Sequence, residues 1–544
     1  MELIKDKIAH ALEQALAAAI QNEVIPSLPP QDVEVGHTEE SSFGDYASTL
    51  PFRLAKLTQM PPQGSAEAIL PFIPEISEVE KIEVARPGFI NFTLKDTWLK
   101  TQVEEILKEG ERYGDLDVGK GKRIQIEFVS VNPTGPLHVG HGRGAVIGST
   151  LAWILSRCGF EVHREYYVND AGAQMESFFQ SLLSYYRGRP SEAISYRGSY
   201  MENLAEEIRR EFPAGSGVEE STILKLGASK VLDGIRRDLT LLGVEFDHWF
   251  SEKSLYEEGD YQEVMSYLKR RGCTIKKEGA LWFVFREEDG DRESVLVRQN
   301  GLPTYFASDV AYHWNKFYGR CFNEVIDIWG ADHQGHVSRM KAVMKALGID
   351  PQRLKIIICQ MVTLKKRGEE VKLSKRGGNI VSLRELVDEV GRDAVRFFFL
   401  SRASQSQMEF DLELAKKRSE DNPVYYIQYA HARICSILRL ARERGVGGEG
   451  GDVGLLSAPA ELSLLRKMVE FPELMLRVEE SLEPHHLSYF ATDLATLFHI
   501  FYRDCRVISG DEELTRARLK LVSAVKIILA KVLDLMGISA PEQM

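Results

Sequence analysis

The stretch Arg123-Ile124-Gln125-Ile126-Glu127-Phe128-Val129, running on through Ser130-Val131-Asn132-Pro133-Thr134-Gly135-Pro136-Leu137-His138-Val139-Gly140-His141-Gly142, decides the fold. Its first seven residues read as an apolar strand, its middle as a Pro/Gly loop, and its end as the start of an amphipathic helix over about 142–157. Gly159 then introduces a second strand, Glu161 to Val168. Strand, glycine loop, helix and strand open a nucleotide-binding βαβ unit, so the core is expected to be α/β with a parallel sheet. Val325-Ile326-Asp327-Ile328-Trp329-Gly330 and Leu354-Lys355-Ile356-Ile357-Ile358 resume that sheet. The polar, strongly charged span of about 186–295 reads as an insertion between its two halves.

Outward from this core the pattern changes on both sides. The N-terminal segment carries helical periodicity at Leu3, Ile4, Ile8, Leu12, Leu16 and Ile20, then strand-like pieces at 81–84 and 89–94 around Pro87-Gly88, and reads as a compact α+β domain over 1–117. A Rossmann-like domain is expected over 118–385. Beyond Ser382 almost everything has helical period, which predicts an all-α domain over 386–544. The total of 544 residues, 44% hydrophobic, gives room for about three or four domains at roughly 150 residues each.

Composition excludes several classes. The start mixes charges and lacks the apolar run of a signal peptide, while Ala145 to Leu155 is too short to span a bilayer, so no membrane partner is expected. The six cysteines (158, 273, 321, 359, 435, 505) form no CxxC pair and read as buried thiols in a reducing cytoplasm. With a net charge of -12, any nucleic-acid partner must meet localised basic surface.

Two constellations carry chemistry. His138 and His141 stand three apart where a strand turns into a helix, so both can face one ligand. A helix N-terminus offers free N–H donors, Gly140 lets a ligand approach the backbone, and imidazoles add donors for charge developing on a phosphate. Three other readings stay open at this point. Gly140-His141-Gly142-Arg143-Gly144-Ala145 fits the dinucleotide fingerprint GxGxxA with Glu161 about twenty residues on. The HxxH spacing recurs at His333-Gln334-Gly335-His336, which suggests metal binding, although no carboxylate or thiolate spacing accompanies it. The imidazoles could also simply be packed at a helix start. The second constellation is Lys372-Leu373-Ser374-Lys375-Arg376-Gly377-Gly378-Asn379, preceded by Lys365-Lys366-Arg367, which reads as a mobile loop. Two lysines three apart can wrap a polyphosphate and neutralise charge as pyrophosphate departs, although a charge run taken alone is usually a solvated face.

Together and in this order, the two motifs resemble the HIGH and KMSKS signatures of class I aminoacyl-tRNA synthetases. Within that class the chain resembles the arginyl-tRNA synthetases of bacterial type over nearly its whole length. Phe43-Gly44-Asp45-Tyr46-Ala47 and Pro87-Gly88-Phe89-Ile90-Asn91-Phe92 resemble the family's N-terminal domain, and Glu127-Phe128-Val129-Ser130-Val131-Asn132 and Tyr305-Phe306-Ala307-Ser308-Asp309 its substrate-binding segments. Gly391-Arg392-Asp393-Ala394-Val395-Arg396, Tyr425 to Arg433, Phe501 to Val507 and Gly537 to Glu542 resemble its helical anticodon-binding domain. Leu373 and Arg376 depart from KMSKS, and Arg86 stands where a glycine is expected before Pro87.

The resemblance implies ATP-dependent activation of L-arginine and its transfer to tRNA(Arg), with Mg²⁺ assisting and no covalent enzyme intermediate. It implies His138, His141, Lys372 and Lys375 as catalytic residues, and adds Gly140, Asp332, His333 and Ser374 as ATP-binding. Arginine presents a planar, permanently charged guanidinium, so its pocket should offer carboxylates that accept paired N–H bonds. Glu127 and Asp309 suit that need, with Asn132 and Tyr305 to orient the substrate. The alternatives are an outward strand residue for Glu127 and a helix-surface charge for Asp309. Tyr425, Tyr429 and Arg433, among neighbouring basic residues such as Lys416, Lys417 and Arg418, suit splayed anticodon bases, although tyrosines at helical spacing are often core. The resemblance further implies tRNA elbow contact by the N-terminal domain, activation that depends on bound tRNA, and a monomer. The 186–295 span holds no recognisable hydrolytic motif, so no proofreading site is expected.

Overall fold

The computed structural model describes residues 3–38, 40–170, 172–190, 194–287, 290–370 and 381–544. Its centre is a five-stranded parallel sheet of β1 (Arg123–Glu127), β2 (Glu161–Val168), β3 (His248–Ser251), β4 (Glu324–Gly330) and β5 (Leu354–Cys359), in the order β5-β4-β1-β2-β3. The chain moves from β1 to β2 on one side and reaches β4 on the other, so strand order reverses between β1 and β4. In such sheets the crevice at the carboxyl ends of the strands at this switch point is where ligands bind.

After β1 comes helix α1 (Val139–Arg157), buried nearly all round, as expected of a helix enclosed within a large fold. Gly148 shows how tightly α1 meets the chain leaving β1: a Cβ there would stand 2.3 Å from the Phe128 ring. Gly148→Ala is expected to displace that ring and lower unfolding free energy by about 1–3 kcal/mol, read as an earlier denaturant midpoint at constant slope. Fully buried Arg143, also on α1, donates to the carbonyls of Gln360, Ala403 and Ser406 at 3.0, 2.8 and 2.8 Å. It ties α1 to the chain entering β6 (Val362–Lys366) and β7 (Met408–Asp411), which pair in parallel.

Two stretches depart from the sequence reading. The span 186–295 supplies β3, the edge strand of the central sheet, as well as the helices Ser199–Glu211 and Glu220–Leu241 and the antiparallel strands Thr274–Lys277, Ala280–Glu287 and Gly290–Val297. His248-Trp249-Phe250-Ser251 is too short for its period to stand out among charges. Likewise β7 is a strand beyond Ser382, its Met408 and Phe410 buried and Glu409 exposed, in a four-residue alternation within helical sequence.

Between β3 and β4 lies α2 (Tyr305–Trp314), capped by Thr304, whose hydroxyl accepts from the Ala307 N–H. The helices α3 (Leu383–Val390) and α4 (Arg392–Leu400) lead to the final bundle. That bundle begins with α5 (Pro423–Glu443), whose start carries an Asn422 cap and Pro423 in the first turn. None of the described helices is long and apolar enough to cross a membrane.

The N-terminal sheet is antiparallel, with strands Val35–His37, Tyr46–Ser48, Phe89–Leu94 and Val79–Ala85 in that order beside the helix Ile4–Gln21. The Arg86–Pro87 bond is cis, and Gly88 has φ +147°; a Cβ there would stand 2.6 Å from the Pro62 backbone. This domain docks on the terminal bundle through charge: Arg466 meets Asp45 at 2.7 Å and Asp96 at 3.1 Å, while Glu473 accepts from Tyr46 at 2.8 Å and pairs with His37 at 2.9 Å.

Candidate active site

His138 is the N-cap of α1, its Nδ1 accepting from the Gly140 N–H at 3.1 Å, while His141 Nδ1 accepts from the His138 N–H at 3.3 Å. The reciprocal bonds form a capping box made from imidazoles. The rings stack with centroids 3.5 Å apart. A Cβ at Gly140 would stand 3.1 Å from His138 Cε1, so glycine allows this ring to fold over the helix end. Two imidazoles and the first N–H groups of α1 thus share one end of the helix, an arrangement suited to an anion.

The dinucleotide reading fails on two geometric counts. Gly142 faces packing, since a Cβ there would meet Leu383 Cδ1 at 2.6 Å and the Phe399 ring at 3.0 Å. Glu161 opens β2, at the opposite end of the sheet from the helix start, whereas a ribose-binding carboxylate belongs at the far end of that strand. The metal reading of His333 and His336 gains no support: their rings lie 5.6 Å apart and His336 Nδ1 is met by the Arg339 guanidinium at 2.6 Å. Among the described residues the single metal-capable grouping is Glu483 with His485 and His486, far along the chain in the terminal bundle.

Asp332 and His333 lie in a short 3₁₀ turn, Ala331–His336, directly beyond β4, with carboxylate and imidazole 3.6 Å apart and both residues exposed. Lys372, Ser374 and Lys375 lie outside the described residues. Either side of them, Lys365–Lys366 pairs with Glu369–Glu370, and Ser382 forms an antiparallel bridge with His138 while Leu383 N donates to Leu137 O at 2.8 Å. The first described residues after the lysine motif are therefore hydrogen-bonded to the imidazole segment.

The carboxylates meet below the loop that links β1 to α1. Glu127 ends β1 and is buried, and Asp309 on α2 is half-buried. Lys316 Nζ lies 2.6 Å from Glu127 Oε2 and 2.8 Å from Asp327 Oδ1. His313 bonds Asp327 at 2.9 Å and the Asp309 carbonyl at 2.7 Å. Burial pushes the Glu127 carboxyl up, with Lys316 opposing; Asp327, which burial alone would raise, is held low by Lys316 and His313. Burial, with the carboxylates of Glu127, Glu252 and Asp327 adding and His313 opposing, pushes Asp309 up to about 7. Buried Glu252 accepts from Ser308 at 2.7 Å.

Asn132 donates to Gln174, and the Tyr305 hydroxyl would stand 3.5 Å from a Cβ at Gly172, so both border the start of the helix Ala173–Tyr186. The chain reaches Asn132 through Val129 and Ser130, both left-handed at φ +69° and +43°. Such a conformation costs a β-branched residue about 1–3 kcal/mol and persists only where the surroundings enforce it. Here the Tyr167 N–H donates to Ser130 Oγ at 3.1 Å and the Tyr166 hydroxyl to Val131 O at 2.8 Å.

Sequence reasoning missed Glu252, His313, Lys316 and Asp327. Part of the signal was present, because Tyr305, Asp309, His313 and Lys316 recur at three- and four-residue spacing on one helical face.

Comparison with known proteins identifies the family. Residues 2–94 match the arginyl tRNA synthetase N terminal domain, 102–405 the catalytic domain of class I (R) tRNA synthetases, and 427–544 the DALR anticodon binding domain. An arginine–tRNA ligase of Dehalococcoides mccartyi is 50% identical over 99% of both chains. The chain belongs to the arginyl-tRNA synthetase family. Among solved structures, a putative arginyl-tRNA synthetase from Campylobacter jejuni is 33% identical with TM-score 0.76 over 83% of this chain and all of that one. The Thermus thermophilus arginyl-tRNA synthetase, 24% identical, shares the fold over 99% of this chain and all of that one at TM-score 0.80.

Tyr429 and Arg433, of the last set of expected residues, fall within the matched anticodon-binding region, and Tyr425 lies just before it. Tyr425 and Tyr429 stack on α5 with planes 8° apart, and Arg433 lies 5.0 Å from the Tyr429 ring centroid and 4.9 Å from that of Tyr502. All three α5 residues are half-buried and Tyr502 is exposed, while Lys416, Lys417 and Arg418 are exposed just before α5.

Proposed function

We propose that the chain activates L-arginine with ATP and transfers it to the 3′ end of tRNA(Arg). The arginine carboxylate attacks the α-phosphate, giving arginyl-adenylate and pyrophosphate; a hydroxyl of the terminal ribose then takes the arginyl group and AMP leaves. The observation that carries this reading is the juxtaposition, at the carboxyl ends of β1 and β4, of an imidazole-capped helix start and a buried carboxylate cluster. His138 and His141 donate to charge developing at the α-phosphate, with Gly140 giving the nucleotide access to the backbone. Asp332 and His333 contact the ribose and adenylate, and Lys372, Ser374 and Lys375 the pyrophosphate. Glu127 and Asp309 accept from the guanidinium, with Asn132 and Tyr305 at the amino-acid backbone. Tyr425, Tyr429 and Arg433 contact tRNA, and the N-terminal domain its elbow.

Mg²⁺ suits this site as a companion of the triphosphate, since it is usually held by substrate phosphates and few carboxylates, and the one exposed carboxylate of the 3₁₀ turn is Asp332. When bound it neutralises phosphate charge. The absence of paired thiols among the six cysteines, four of them buried, supports a cytoplasmic protein, and family membership a monomer.

A charging assay offering all twenty amino acids with total tRNA tests the reading. Arginine alone is expected to be acylated, and pyrophosphate exchange is expected to need tRNA. Acylation with another amino acid would overturn the assignment.

Asp309 gives a pH signature. With its carboxyl at about 7 in the free protein, a bound guanidinium favours the anion and lowers that value, so binding below pH 7 must release a proton. Arginine affinity should therefore be flat above about pH 7 and weaken by up to about tenfold per unit below it. Calorimetric titration between pH 5.5 and 8 reads this; a flat profile there removes Asp309 from the pocket.

A further inference from the structure

Lys316 stands where an ammonium would ordinarily be costly. It is fully buried on the π-helical segment Asn315–Gly319 that extends α2, a distortion found often at functional sites. Its Nζ meets Glu127 Oε2 at 2.6 Å, Asp327 Oδ1 at 2.8 Å and the Tyr312 ring at 4.2 Å from the centroid. Three partners match the three N–H donors of an ammonium. A carboxylate as buried as Glu127, left alone, would take up a proton and could no longer accept two N–H bonds from a cation. An ammonium on one oxygen opposes that and fixes the rotamer, while the carboxylate, which also accepts from the Ser130 hydroxyl, keeps further lone pairs for a ligand.

We propose that Lys316 is a positioning residue that sets amino-acid specificity, holding Oε2 of Glu127 so that its other oxygen, together with Asp309, is presented to a planar guanidinium. This rests on the arginine pocket described above. The simpler possibility is that Lys316 only balances Asp327, and the two roles separate experimentally. Removing the lysine alone leaves Glu127 and Asp327 facing each other in a low dielectric, which is strongly destabilising. Lys316→Met combined with Asp327→Asn removes one charge of each sign.

In tRNA-supported pyrophosphate exchange with the full chain, this double variant is expected to raise KM for arginine roughly 10- to 100-fold, the worth of a hydrogen bond to a charged group. KM for ATP should be unchanged, and the preference for arginine over citrulline should shrink in step. An arginine KM within twofold of the parent would overturn the proposal, because charge balance alone would then explain the lysine. Lys316→Gln combined with Asp327→Asn, which keeps a donor at 316 and the charge balance, gives a second reading should the first double variant fail to fold: a raised arginine KM at unchanged ATP KM is expected, and a parental value overturns. Glu127→Gln separates the layers. If it raises arginine KM while both Lys316 variants do not, only the role of Lys316 falls; if it too leaves arginine KM unchanged, the pocket reading falls with it.

Discussion

Citrulline offered in place of arginine is expected to lower kcat/KM by roughly 10³- to 10⁵-fold, because a site built to pair a polar group rejects an analogue lacking it far more strongly than an apolar pocket rejects a missing methylene. The two substrates share shape and length and differ at the guanidinium. Glu127 and Asp309 lie in a cluster that also contains Asp327 and buried Glu252, against the ammonium of Lys316 and the imidazole of His313. A neutral ureido group placed there leaves carboxylates desolvated with one fewer cation, and each unmade bond to a buried charge costs more than the roughly 1–3 kcal/mol of a neutral group. The discrimination should appear in exchange assays as a fall in kcat/KM, and Asp309→Asn should shrink it. Comparable kcat/KM for the two amino acids would remove the arginine pocket.

Replacing His141 by alanine is expected to lower kcat for arginine activation by roughly 10²- to 10³-fold with KM for ATP little changed, as loss of one preorganised donor to a developing oxyanion does. His141 also closes the capping box of α1 through its Nδ1, so a stability effect accompanies the change. Magnitudes separate the two: a lost cap costs about 1 kcal/mol of stability, whereas the kinetic loss corresponds to about 2.7–4 kcal/mol. His141→Gln retains an N3 acceptor for the cap and should recover the stability without recovering the full rate. If alanine leaves kcat within threefold of the parent, the imidazole is a cap and nothing more.

How far the sequence could be read depended on the length scale of each signal. The sheet of β1, β2, β4 and β5 was legible because parallel strands buried on both faces are rich in β-branched apolar residues, as at Leu354–Cys359. Gly and Pro also punctuate the ends of Arg123–Glu127, whose Ile124 and Ile126 alternate with polar residues. The strands β3 and β7 were not, being four residues long, too short for periodicity to rise above their charged surroundings. Local motifs exposed the imidazole pair, whose geometry depends only on a helix start. The network around Lys316 was hidden because it joins α2 to strands almost two hundred residues away in one direction and eleven in the other, and a charged residue at the end of a helix reads by default as solvent-facing. The left-handed Val129 and Ser130 were also invisible, since nothing in their residue types asks for positive φ.

The contact of Arg466 with Asp45 and Asp96 closes the chain on itself, joining its first folded unit to its last across the catalytic body. Side chains 421 and 370 positions apart in sequence are thus joined, and the two modules become one calliper whose jaws sit at a set spacing. A long ligand touching both modules would be gauged by that spacing, but Glu473 with Tyr46 and His37 backs up the guanidinium fork, so severing the fork alone should loosen the gauge only in part.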